Sequence, residues 1–369
     1  MSEQTPAAAL LARAVEAGTV PGAVIAYGHD PVPIAAGSMA VDGPTMPADA
    51  IIRIQSMTKL VTAVATLRLI EQGELELDSA VGTWLPELAA PQVLRTPGSD
   101  LEDTVPADGP ITVRHLLTCT SGYGMILTES PLQQAMAANA TEAGPLPPSL
   151  GADDWLAALA ELPLVGQPGT VWRYHHSFGL LGVLLSRLTG ESLEAHLRRT
   201  LFDPLGMPDT GSSVPREKAH RLPAAYGAEG EELVEREPVG GGFHVGAPPY
   251  DMSHSELLST APDYLRFLLA LRDGELVSAE HLTMLSTDQV PAGAKQPDSF
   301  FPGFWESTGW GFGVCVVADG PHRGRWGWSG GAGTDFYVDP DGTLGLLLTQ
   351  VEMGPRIFPL LEEFGELTA

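Results

Sequence analysis

The chain has 369 residues, 44% of them hydrophobic, and a formal net charge of −26. That length supports one or two domains with sizeable cores, and so acidic a surface excludes nucleic acid and anionic membranes as partners. Two cysteines, Cys119 and Cys315, make no disulfide framework, and the opening residues carry neither a basic stretch nor a sustained apolar run, so a cytoplasmic protein without a membrane span is expected.

Residues 6–17 read as a helix. Two strands follow as a pair, over 23–27 and 34–41, and then the short apolar run Ile51-Ile52-Arg53-Ile54. Next comes Gln55-Ser56-Met57-Thr58-Lys59. Beyond it apolar residues recur at Leu60, Val61, Val64, Leu67 and Ile70, the spacing of one buried helix face over 60–75. From 77 to about 300 the pattern is helical pieces between Pro- and Gly-rich loops, two of them long, near 91–110 and 128–153. Strands return over 311–318, 325–328, 334–338 and 344–351, separated by turns such as Asp339-Pro340-Asp341-Gly342, and 357–367 closes the chain as a helix. Strands at both ends with helices between predict an α+β fold. Residues 1–75 and 300–369 would form one mainly antiparallel sheet flanked by helices, and 76–299 an inserted, mainly helical domain. A ligand site is expected in the cleft between them.

Three stretches carry candidate chemistry. Ser56 and Lys59 stand three residues apart, on one helix face, so hydroxyl and amine can meet. A desolvated lysine can lose its charge and activate a serine. The structural alternative is that Ser56 only caps the helix. Lysine is scarce, at Lys59, Lys218 and Lys295 alone, which makes a chance Ser-x-x-Lys pair uncommon. The second stretch, residues 168–177, crowds hydroxyl, imidazole and aromatic groups before an apolar helix over 178–188. Tyr174 there is either a proton relay, if neighbouring cations lower its pKa, or a packing aromatic with a wet hydroxyl. His175 and His176 are adjacent and diverge, and no Cys or carboxylate spacing completes a ligand set, so no metal is expected. The third, Trp326-Gly327-Trp328-Ser329-Gly330-Gly331-Ala332-Gly333-Thr334, is a strand that loses its side chains midway. Either Gly331 aims its N–H at a reacting carbonyl oxygen, or the stretch is a glycine hairpin with Trp328 in the core. No helix follows these glycines, so no dinucleotide fingerprint and no cofactor is expected.

Together the three stretches resemble the β-lactamase-fold serine hydrolases: serine β-lactamases, penicillin-binding DD-peptidases and the related esterases and acyltransferases, among which Ser-x-x-Lys is a signature. Val20-Pro21-Gly22, residues 111–118 with Thr120-Ser121-Gly122, Leu180-Leu181-Gly182, Phe202-Asp203-Pro204-Leu205-Gly206-Met207 and residues 331–340 are similar to family stretches as well. The resemblance implies Ser56 as the acylated nucleophile, Lys59 as its neutral base and Tyr174 as a proton shuttle. It implies an oxyanion hole from the N–H groups of Ser56 and Gly331, and substrate contacts at Trp328, Ser329, Gly330, His176, Tyr123 and Glu256.

The departures from the family pattern point to a branch. Asn139 is the only asparagine, so no Tyr-x-Asn element exists, and His176 stands two residues after Tyr174. The Lys-Thr-Gly of penicillin-recognising enzymes reads Trp328-Ser329-Gly330, and indole offers no charge to a substrate carboxylate. Arg173, Arg323 and Arg325 are the cations left to supply one. Ser255-Glu256 replaces a family Gly-Gly, and Cys119, where histidine is common, reads as a small buried residue. The expected function is a carboxylesterase or amidase acting on a small-molecule ester or amide through an acyl-serine. The alternatives are an acyltransferase passing the acyl group to an alcohol or amine, a β-lactamase or DD-peptidase, and an inactive binding protein.

Overall fold

The computed structural model describes residues 5–144, 149–230, 232–246 and 256–367. Its frame is a seven-stranded antiparallel sheet in the order Ile34–Gly37, Gly22–Gly28, Leu344–Leu348, Thr334–Val338, Trp326–Gly330, Cys315–Val317, Thr308–Trp310. The two ends of the chain meet in it, with Val24 opposite Leu348 and Gly28 opposite Leu344. Successive side chains of a strand point to opposite faces. Ala23, Ile25 and Tyr27 therefore pack on one side, against the helices Thr5–Glu16 and Phe358–Gly365. Val24 and Ala26 pack on the other, in the larger core shared by the helices Thr58–Glu71 and His176–Thr189. A strand covered on both faces reads as an unbroken apolar run, as residues 23–27 do.

The expected α+β architecture is present, and several elements differ from the sequence reading. The helix expected over 60–75 runs Thr58–Glu71, and Gly73 at φ +77° turns the chain after it. Ser56 precedes that helix in a short 3₁₀ turn, Gln55–Met57. Of the run before it only Ile52–Arg53 is a strand, and it pairs with Leu258–Ser259 outside the main sheet. The expected strand over 311–318 is a hairpin of Thr308–Trp310 and Cys315–Val317. Gly313 bends it at φ +80°, and a Cβ there would lie 3.0 Å from the Lys59 carbonyl oxygen. The region read as purely helical holds the hairpin Ala225–Glu229 and Glu232–Glu237, whose second strand is too polar to show apolar alternation. The loop near 91–110 contains a short ladder, Gln92–Leu94 with Thr104–Pro106. The loop near 128–153 contains the helix Pro131–Ala138 and the start of Ala152–Ala160, while residues 145–148 lie outside the described residues.

Candidate active site

Of the five described non-glycine residues at positive φ, Gln55 (+45°), Cys119 (+56°) and His175 (+91°) stand around one point, while Asp42 and Ala140 do not belong to it. Gln55 precedes Ser56, His175 follows Tyr174, and Cys119 is buried against Lys59. Such conformations cost roughly 1–3 kcal/mol each and persist where the surroundings over-determine them, which is common at active sites.

Ser56 Oγ lies 3.1 Å from Lys59 Nζ. The helix cap is Met57, with no side-chain cap bond, so the serine is turned to the lysine rather than to helix capping. Lys59 has no solvent exposure. Burial pushes its amine down to about 7, against smaller upward pulls from Cys119 and Glu256. An amine poised there is partly neutral at neutral pH and can accept the Ser56 proton. Burial pushes the neighbouring Cys119 thiol up to about 12, so it stays neutral. The other two lysines are surface ion pairs, Lys218 with Asp209 and Lys295 with Asp288.

Tyr174 faces the same pair. Lys59 Nζ sits 4.4 Å from its ring centroid. Its carbonyl accepts from Met125 N at 2.8 Å, and the preceding Arg173 N donates to the Cys119 carbonyl at 2.9 Å. Trp328 Nε1 donates to the Tyr174 hydroxyl oxygen at 2.6 Å. Burial drives the phenol pKa up, outweighing the lowering by its hydrogen bonds to Ser56 and Trp328. The condition set by sequence, a pKa lowered by cations, is therefore not met, and the group present is a neutral phenol.

The strand Trp326–Gly330 forms the opposite wall. A Cβ on Gly330 would lie 2.3 Å from the Ile54 carbonyl oxygen, and one on Gly331 2.4 Å from Gln55 Oε1. Bare backbone at both positions lets the strand end close onto residues 54–56. The stretch is also a tight hairpin, with Gly330 opposite Thr334 and Gly333 at φ +69°. Gly331 itself leaves the ladder, its carbonyl accepting from Met353 N at 2.8 Å.

The remaining candidates are spread more widely. Ser329 pairs with Asp335 and, one residue on from Trp328, faces the other side of the strand. Burial pushes the Asp335 carboxyl up to about 7. His176 is interior: its Nε2 meets the Thr141 carbonyl at 2.6 Å, its ring stacks on Trp155, and burial pushes its pKa down to about 4. Tyr123 sends its hydroxyl to the Leu162 carbonyl at 3.4 Å and borders a small apolar recess with Leu132, Met136 and Leu159. Glu256 is buried beside Leu257, whose N–H meets Thr58 Oγ1 at 3.2 Å and whose carbonyl takes the Ile54 N–H at 3.1 Å. That placement brings its carboxyl within electrostatic reach of Lys59. Ser255 lies outside the described residues. Arg173 is paired with Asp298 at 3.1 Å, and Arg325 is held by Asp339 at 2.7 Å, while Arg323 is exposed in the turn before Trp326. Among the described residues no group of three metal-binding side chains occurs.

Sequence reasoning missed an aromatic wall. Trp310 meets Trp328 edge-on at 4.7 Å, Phe300 lies 5.2 Å from the Tyr174 ring, and Trp172 and Phe304 pack behind them. The signal was present, since Phe300, Phe301, Phe304, Trp305, Trp310 and Phe312 crowd thirteen residues.

Known proteins share this arrangement of chain and fold. The chain is 35% identical over 322 residues to Protein Rv1367c of Mycobacterium tuberculosis, covering 83% of this chain and 78% of that protein. It is 31% identical over 332 residues to Esterase EstB of Burkholderia gladioli, with the same two coverages of 83% and 78%. The fold matches that of EstCE1, described as a hydrolase with promiscuous acyltransferase activity, at a TM-score of 0.82 and 24% identity over 99% of this chain and 98% of that one. The model of the Beta-lactamase family matches residues 7–356, and the chain belongs to that family.

Proposed function

We propose that this protein is a serine carboxylesterase in which Ser56 carries the acyl group. The observation that carries the reading is the Ser56–Lys59 contact of 3.1 Å, with the buried amine brought down to about 7. Neutral Lys59 takes the Ser56 proton as Oγ attacks the ester carbonyl, the N–H groups of Ser56 and Gly331 receive the oxyanion, and Tyr174 protonates the departing alkoxide. Water then enters by the reverse path. The groups come from both parts of the chain, Ser56, Lys59, Trp328 and Gly331 from 1–75 and 300–369 and Tyr174 from 76–299, which supports a site in the cleft between two such domains. A cytoplasmic location belongs to the same reading and rests on the two free thiols, Cys119 and Cys315.

The acyl donor in this reading is a neutral small-molecule ester. Arg173 and Arg325 are committed to Asp298 and Asp339, and Trp328 offers an indole where a carboxylate needs a cation. Burying an unpaired carboxylate costs several kcal/mol, so a penicillin or a cephalosporin chromogen should show kcat/KM at least ~100-fold below that of a short p-nitrophenyl ester. Equal turnover of the lactams overturns the esterase assignment. Addition of a primary alcohol in the same assay tests transfer: product ester forming faster than free acid would make the protein an acyltransferase.

A further inference from the structure

Trp328 is aimed at the catalytic tyrosine and not only at the substrate. Its Nε1 reaches the Tyr174 hydroxyl oxygen at 2.6 Å, and its ring is fixed edge-on against Trp310, with centroids 4.7 Å apart and planes at 89°. The main chain of Trp328 is locked in the ladder opposite Phe336. Indole N–H only donates, so at this contact the phenol oxygen must accept. The indole N–H thus excludes the Tyr174 O–H from its own side, and the proton turns toward the side on which Ser56 meets this hydroxyl and a leaving group would stand.

We propose that Trp328 is a positioning residue that fixes the direction of the Tyr174 proton and stabilises the phenolate character that Tyr174 acquires as it protonates the leaving alkoxide. The inference rests on the acyl-serine reading above. Ser56 gives its proton to Lys59 while the Oγ–carbonyl carbon bond forms. As the carbon–oxygen bond of the ester breaks, the alkoxide takes the Tyr174 proton. The Lys59 ammonium, against the Tyr174 ring, then returns a proton to the phenol oxygen. At the moment of transfer negative charge gathers on that oxygen in a buried place, where a fixed donor is strongest. The device matters only when the leaving group needs a proton. The site is thus built for esters of aliphatic alcohols, whose alkoxides do not depart unprotonated.

The test replaces Trp328 by β-(3-benzothienyl)alanine, which keeps the ring shape and lacks the N–H. Single-turnover acylation is measured with ethyl butyrate and with p-nitrophenyl butyrate, whose phenolate leaves without a proton. The ethyl ester should acylate roughly 10- to 100-fold more slowly in the variant, and the p-nitrophenyl ester should change by less than about 3-fold. Substrate affinity should be unchanged. In a Tyr174→Phe background, removing the N–H should cause no further loss with the ethyl ester. An equal loss with both esters, or a change in affinity alone, makes Trp328 a wall of the pocket and overturns the proposal. Ser56→Ala is measured alongside. If it acylates like the wild type, the acyl-serine reading itself fails. If it is inert while the benzothienyl variant treats both esters alike, this proposal alone fails.

Discussion

An amine without solvent exposure stands at the centre of the site, and its charge decides what Ser56 can do. Burial holds Lys59 at about 7, from an ordinary 10.5, so the neutral, base-competent form grows as pH rises through 7 and is lost below it. Acylation should therefore rise with pH along a single limb centred near 7, and be about 100-fold slower at pH 5 than well above pH 7. Tyr174, pushed upward by burial, should add no falling limb below pH 10. Stopped-flow acylation across pH 5–10 reads this directly; a flat profile would remove Lys59 as the base. At this scale Ser56 and Lys59 were legible because three lysines leave little room for chance. The pKa direction of Tyr174 was not, because the groups that bury it, Phe300, Trp310 and Trp328, lie more than 120 residues away in the chain. The setting of His176 was hidden for a similar reason: the Thr141 carbonyl that it meets is 35 residues upstream and leaves no local trace.

Among the elements, two junctions shape the site: the 3₁₀ turn Gln55–Met57 and the end of the strand Trp326–Gly330. They close on each other because Gly330 and Gly331 bring no side chains to the contact. Gly331→Ala puts a methyl group 2.4 Å from Gln55 Oε1. The far end of a glutamine can swing aside, so the fold should lose only about 1 kcal/mol. Gln55, however, holds a strained φ of +45° next to Ser56, and displacing it should lower kcat/KM by about 10- to 100-fold. Urea unfolding measured with esterase kinetics separates the two effects; a large loss of stability without a kinetic effect would contradict the placement of Gly331. The bare strand end was visible in Gly330, Gly331 and Gly333. The strand Glu232–Glu237 was not, because its sequence is mostly charged and it is tied down by distant contacts such as Arg53 with Glu237, 2.5 Å apart.

The whole molecule joins its two ends in one sheet, with Val24 beside Leu348; a shared sheet was readable from apolar strand-like runs at both ends, but not which strands pair in it. The sheet and the helices packed on it bring a serine, a buried amine and a buried phenol together beside an aromatic wall. The central claim is that acyl groups pass through Ser56. The most direct measurement is the mass of the intact protein, and of its peptides, after brief reaction with a short p-nitrophenyl ester and acid quench. One acyl adduct per chain is expected, on the peptide carrying Ser56, and none in Ser56→Ala. An adduct on another residue, or unchanged turnover in Ser56→Ala, would contradict it.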